Sequence, residues 1–172
     1  NTEWTFSIRD DAAFSDGAPV TADDVVFSAD VWANGPNFGG SFASIERVEA
    51  VDSHTVRFLT DSSNSTLPAL LAGSVAGVMP ADFGGRSEEE YYQSPIGAGA
   101  YTVTDWSLDG QIDLARNPHF YDPERQMFEQ VEITVVPDDN ERAILIQAGD
   151  ADIVEYVGAP SAAQYDPAVL PE

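Results

Sequence analysis

The chain has 172 residues, 43% of them hydrophobic and 10% aromatic, and thirty acids face seven bases for a formal charge of −23. That is one domain's worth of chain, long enough to bury roughly 70% of its unfolded surface. Its aromatic content and periodic apolar runs exclude the disorder that acidic composition otherwise suggests. All the bases are Arg, Lys is absent, and no basic stripe exists to neutralise phosphates, which excludes nucleic acid as a partner.

The acids are 18 Asp and 12 Glu. An acidic, Lys-free surface suits a folded protein from a halophilic source, where ~1 M salt shortens the Debye length to about 3 Å and screens self-repulsion. There is no Cys, hence no disulfide framework, thiol nucleophile or zinc ribbon. No apolar run approaches the ~18 residues that span a bilayer. The sequence opens at Asn1 with Trp4 already in a strand-like pattern and shows no signal peptide. It reads as an excised segment, from which a leader is expected to have been removed.

Residues 4–9 (WTFSIR) alternate and predict a strand. AFSDGAPVT follows as turn chemistry, with Asp16-Gly17 and Pro19 as breakers. Thr21 is placed to cap a helix over about 22–33, with Asp24 three residues on to close a capping box and Val25, Ala29 and Trp32 on one face. Residues 34–40 form a Gly/Pro/Asn loop, and IERVEAV and HTVRFLT flank Asp52-Ser53 as a hairpin. LPALLAG (67–73) predicts a short apolar helix ending at Gly73, MPADFGG a loop, and SEEEYY (87–92) a surface helix capped by Ser87. A second hairpin covers 100–116, NPHFYDPE is a loop, and VEITVV (131–136) is a strand. Asp138 caps a helix that Gly149 ends, DIVEY (152–156) predicts a last strand, and the tail to Glu172 has no clear pattern. The order predicts a mixed α/β (α+β) domain with antiparallel and some parallel pairings.

Several of these stretches, in this order, resemble one family. WTFSIRDDAAFSDGAPVTADDVVFSADVW (4–32) is similar to its strand, "F-x-D-G-x-P-x-T-A-x-D-V" turn and helix. SIERVEAVDSHTVRFLT (44–60) resembles its hairpin, and SPIGAGAYTV (94–103) its "P-(V/I)-G-T-G-P-Y" segment. IDLARNPHFYD (112–122) and VEITVVPDDNERAILIQAGDADIVE (131–155) resemble its "L-x-R-N-P-x-Y" strand end and its "I-P-D, N-x-R, A-L-x-x-G-x-x-D-I" unit. The family is that of the dipeptide-, oligopeptide- and nickel-binding receptors of ABC importers, the extracellular solute-binding proteins of family 5.

The resemblance implies one lobe of a type II periplasmic-binding-protein-like fold, with mixed sheets and flanking helices. Such receptors have two lobes hinged around a ligand cleft. Residues 1–157 match most of a first lobe, and 158–172 form a tail leading toward a second. The implied function is capture of an extracellular solute, peptides first, at the cell surface, for presentation to an ABC permease. A lipid anchor would lie outside this chain. No enzyme activity, cofactor or metal is implied. Two other classes stay open: a sensor or interaction domain that borrowed the fold, and a carboxylate-dependent hydrolase.

The candidate ligand-proximal residues are Gly97, Ala98, Gly99 and Tyr101. Glycines there allow close backbone approach, and Tyr101 offers an aromatic wall and a hydroxyl. The family's Thr and Pro are Ala98 and Ala100 here, so a contact through that hydroxyl does not carry over. Phe14, Asp16, Gly17, Pro19, Thr21 and Asp24 read as a turn and cap rather than a ligand contact. His54 and His119 are far apart in sequence and read as solvated rather than metal-bound. Asp105, Ser107, Asp109 and Gly110 mimic calcium-loop positions 1, 3, 5 and 6, but position 12 falls at Arg116, the wrong charge.

Overall fold

A computed structural model describes residues 1–36, 39–107 and 110–155. The described residues divide into two compact units, those within 1–106 and 113–131, and those within 107–112 and 132–155. The expected boundary at 157 and the tail 158–172 lie outside the described residues, as does Asp109.

In the first unit, β1 (Glu3–Ser7), β2 (Ile45–Asp52) and β3 (Thr55–Thr60) form an antiparallel sheet in the order β1-β3-β2. The alternation of β3 puts Val56, Phe58 and Thr60 on the buried face. Trp4 of β1 and Val48 of β2 both sit opposite Phe58, and the rings of Phe6 and Phe58 meet edge to face at 5.6 Å. Register shifts after Ile45 and Ala50 bend β2, as β-bulges do.

Helix α1 (Ala22–Asn34) covers this sheet with Val25, Ala29 and Trp32, the 3.6-residue stripe the sequence predicts, and with Ala22 besides. Its start is the expected capping box. The Asp24 carboxylate accepts the Thr21 N–H and hydroxyl, each at 2.7 Å. The same helix face carries a polar line at i, i+4, i+8 that fastens the loop after α2 (Leu67–Leu71). Asp24 accepts the Ala81 N–H at 2.7 Å, Ser28 Oγ accepts the Met79 N–H at 2.8 Å, and Trp32 Nε1 donates to the Gly77 carbonyl at 2.9 Å. Asp24 and Ser28 are buried, so these bonds satisfy groups that would otherwise be costly.

Beyond that loop the chain takes a left-handed turn at Asp82, Phe83, Gly84 and Gly85. Left-handed φ is unusual for a bulky residue. Phe83 is held there by ring contacts with Phe27 at 4.9 Å and Tyr91 at 5.2 Å.

Helix α3 (Glu88–Gln93) follows its Ser87 cap, then β4 (Tyr101–Trp106). Strands β5 (Gln111–Arg116) and β6 (Gln130–Thr134) complete a second sheet in the order β4-β5-β6. In the second unit, Gly110 turns with φ +97°, and helix α4 (Asp139–Ala148) is capped by Asp138, whose Oδ1 accepts the Glu141 N–H at 2.9 Å. Gly149 ends α4 in the left-handed conformation.

One predicted element fails. Residues 152–155 form no strand, and Tyr156 lies outside the described residues. The alternation there is short, and Ile153 is 77% exposed rather than packed on a sheet face.

Candidate functional site

Segment 94–101 is built from α3 outward. Ser87 and Glu90 close a capping box, with the Glu90 carboxylate accepting the Ser87 N–H at 2.9 Å and hydroxyl at 2.8 Å. Those donors hold the Glu90 carboxyl below its ordinary range. One residue on, Tyr91 turns inward and joins Phe14, Val20 and Ile96 in a small core against which Ala98 packs. Its hydroxyl donates to the Ile96 carbonyl at 2.6 Å and folds the chain back on the helix.

From there the carbonyls are captured in turn. The Gly97 carbonyl accepts the Ser15 N–H at 2.9 Å. The Gly99 carbonyl accepts Asn117 Nδ2 at 2.8 Å. The Ala100 carbonyl accepts the Asn117 N–H at 3.0 Å and Gln126 Nε2 at 2.6 Å. Asn117 and Gln126 are buried and themselves joined, Gln126 Nε2 donating to the Asn117 carbonyl at 2.7 Å. The sequence reading missed this clamp. Asn117 before Pro118 signals a turn, but nothing in a sequence says that its amide, or that of Gln126, is buried.

The segment is not buried as a whole: Ser94 and Gly99 are exposed, and Gly97, Ala98 and Tyr101 are half-buried. Neither Gly97 nor Gly99 has left-handed φ. A Cβ at Gly97 would meet nothing within 4 Å, and one at Gly99 only the Tyr101 carbonyl at 3.9 Å. The chain's own folding therefore does not demand glycine at either position. The Tyr101 hydroxyl is engaged internally, donating to the Phe128 carbonyl at 3.1 Å and standing 3.0 Å from the Phe128 N–H it accepts. What Tyr101 has left for a ligand is its ring.

The Asp16-Gly17 cluster is a turn. Asp16 Oδ1 accepts the Ala18 N–H at 3.0 Å, and Phe14 is buried. Gly17 has φ +88°, and a Cβ there would come within 3.1 Å of the His119 ring, so glycine is required twice over. His54 lies instead beside Ser53, its Nδ1 2.8 Å from the hydroxyl, so the two histidines serve separate local contacts. Among the described residues no three His, Asp or Glu side chains converge on a metal-sized site.

A separate apolar cleft of about 260 Å³ lies at the C-terminal end of α1, between Trp32, Pro36, Phe42, Val75, Met79 and Tyr92. Its residues come from distant stretches, so no local pattern announces it. Among the described residues no helix is long and apolar enough to cross a membrane.

The Tyr91 bond gives a pH prediction. Burial pushes the Tyr91 phenol up to about 12. A phenol ionises near 10 when unfolded, so the unfolded chain loses its proton first. The stabilisation is intact below pH 10 and drains away as pH rises toward 12. Alkaline melting should therefore be steeper in the parent than in Tyr91→Phe between pH 9 and 12; parallel curves would refute it.

The family described as bacterial extracellular solute-binding proteins, family 5 Middle, matches residues 1–169. The probable D,D-dipeptide-binding periplasmic protein DdpA of Escherichia coli K12 is 28% identical, over 89% of this chain and 31% of its own length. The periplasmic oligopeptide-binding protein OppA of the same organism is 28% identical, over 74% of this chain and 28% of its own. The binding protein AgaA of A. tumefaciens R10, solved with agropinic acid, superposes with a TM-score of 0.83 at 27% identity, covering 94% of this chain and 33% of AgaA. This chain thus spans about a third of the length of these relatives. Its mixed α/β architecture is that of a periplasmic binding protein, and it belongs to the bacterial extracellular solute-binding proteins of family 5.

Proposed function

We propose that this chain supplies much of one lobe of an extracellular receptor that captures a small solute, peptides foremost, and presents it to the permease of an ABC importer. The family match over residues 1–169 carries the reading. Relatives named for dipeptide and oligopeptide binding supply the ligand class. Residues 1–157 are the lobe segment, and 158–172 lead toward the partner lobe. The receptor works outside the cell, any lipid anchor lying outside this chain, and the lobe binds without catalysing.

Within the lobe, Gly97, Ala98, Gly99 and Tyr101 are the ligand-proximal set. Support comes from the open space beside both glycines, which the chain's own packing leaves unused. Tyr101 follows two residues after Gly99, half-buried, its hydroxyl anchored by Phe128.

Tight pockets bury most of a ligand's surface, and a single lobe offers one wall. Calorimetry of the 172-residue chain against a peptide library should give no dissociation constant tighter than about 1 μM, equivalent to ~8 kcal/mol. Submicromolar binding would show that the ligand is enclosed within this chain and that the lobe assignment is wrong.

A further inference from the structure

Residues 64–66 read Asn-Ser-Thr, and Asn64 is the only asparagine of the chain with Ser or Thr two positions on. That spacing is the acceptor signal for a sugar on an asparagine amide, because a hydroxyl two residues on can reach back to the carboxamide. The fold holds that contact. The Thr66 hydroxyl donates to Asn64 Oδ1 at 2.8 Å, and the Thr66 N–H donates to the same oxygen at 3.0 Å. Both bonds draw charge toward Oδ1 and polarise the amide. They span two residues, so they can form before folding brings up Ser44, twenty residues away.

In the folded chain one N–H of Asn64 Nδ2 donates to Ser44 Oγ at 2.9 Å. An asparagine amide carries two such hydrogens, and the second has no partner among the described residues. The backbone of the turn is also tied down. The Asn64 N–H donates to the Asn1 carbonyl at 3.1 Å, and the Asn64 carbonyl accepts Trp4 Nε1 at 3.1 Å. A sugar carbon in place of the second amide hydrogen leaves all of these bonds intact. The surroundings leave room for it: Asn64 is half-buried, while Asp61, Ser62, Ser63, Ser65 and Thr66 are exposed.

We propose that Asn64 is an attachment site for an N-linked oligosaccharide, with Thr66 as the positioning residue. The donor class is an oligosaccharide joined through its anomeric carbon to a polyprenyl phosphate or diphosphate, and a separate oligosaccharyl transferase performs the step. Nδ2 bonds to the anomeric carbon. The bond from that carbon to the phosphate oxygen breaks, and the phosphate leaves with the electron pair. One Nδ2 proton passes to a base of the transferase, and nothing is oxidised or reduced. The proposal rests on the reading of this chain as part of a receptor outside the cell, where sugars are attached, and the extracellular character of the family supports that location.

The test uses the receptor purified from the envelope of the organism that makes it. Trypsin releases residues 58–86, bounded by Arg57 and Arg86 and holding Asn64. The expected peptide is heavier than the bare sequence by whole sugar residues, and fragmentation places them on Asn64. Thr66→Ala and Asn64→Gln should abolish the added mass, whereas Thr66→Ser keeps the hydroxyl and should keep it. Protease added to intact cells reports location in parallel. A receptor cleaved from outside, yet yielding only the bare peptide, would overturn the proposal and leave the receptor reading standing. A bare receptor shielded from that protease would overturn both. Sugar that persists in Thr66→Ala, or that sits on Ser62, Ser63 or Ser65, would overturn the assignment to Asn64.

Discussion

The chain should melt at a markedly higher temperature in ~2 M KCl than at ~0.1 M. The cause is a charge of −23 with no Lys, which makes the compact state repel itself. At ~0.1 M the Debye length is about 10 Å, so neighbouring carboxylates on a small domain feel one another; at ~1 M it is about 3 Å and they do not. The Arg side chains do not relieve the repulsion over any distance. Arg9 pairs with Asp11, Arg47 with Glu49, Arg57 with Glu3, and Arg125 with Asp122, all near neighbours in sequence or on adjacent strands.

Salt also weakens those pairs, which argues the other way. Exposed pairs of this kind are each worth a few tenths of a kcal/mol up to about 1 kcal/mol. Thirty acids share only seven Arg, so the repulsion outweighs the pairs and its relief wins. Thermal unfolding followed by circular dichroism across a KCl series decides the matter. A flat melting temperature would remove the case for salt adaptation. A rise with sulfate but not with KCl would point to surface exclusion of the salt rather than to screening.

Much of the fold was legible because its signals are local. Thr21 and Asp24, Ser87 and Glu90, and Asp138 with Glu141 sit at cap spacing, and each starts a helix. Gly149 ends one for the reason that glycine usually does. The hairpin at Asp52-Ser53 follows from turn chemistry between alternating runs. The strand expected at 152–156 rested on alternation over a few residues, where period 2 is a weak signal without a partner strand. The candidate loop was legible as a motif but not as a site. Its physics lies in Ser15, Asn117 and Gln126, remote in sequence from 97–100, and long-range hydrogen bonds leave no periodic trace. Sequence reading saw a Tyr101 hydroxyl free for a ligand; the fold spends it on Phe128.

Asp24→Ala should cost about 2–4 kcal/mol of unfolding free energy. As a cap residue alone it would be worth about 1 kcal/mol. Here one carboxylate serves two elements. Its Oδ2 accepts the Thr21 N–H and hydroxyl, and its Oδ1 accepts the Ala81 N–H, each at 2.7 Å. Asp24 is 7% exposed, so removing its carboxylate leaves two half-buried backbone donors without their acceptor. Hydrogen bonds to a charged group are also stronger than neutral ones. Asp24→Asn keeps one acceptor oxygen and should cost about half as much. Asp23→Ala, one residue earlier and exposed, should stay within ~0.5 kcal/mol of the parent. Denaturant unfolding of the variants at one fixed high salt concentration measures the differences. If Asp24→Ala were no more costly than Asp23→Ala, the tie between α1 and the 77–81 loop would be a contact without energetic weight. Against a total stability of roughly 5–15 kcal/mol for a domain, the expected loss is enough to unfold an appreciable fraction of the chain once salt is lowered and self-repulsion returns.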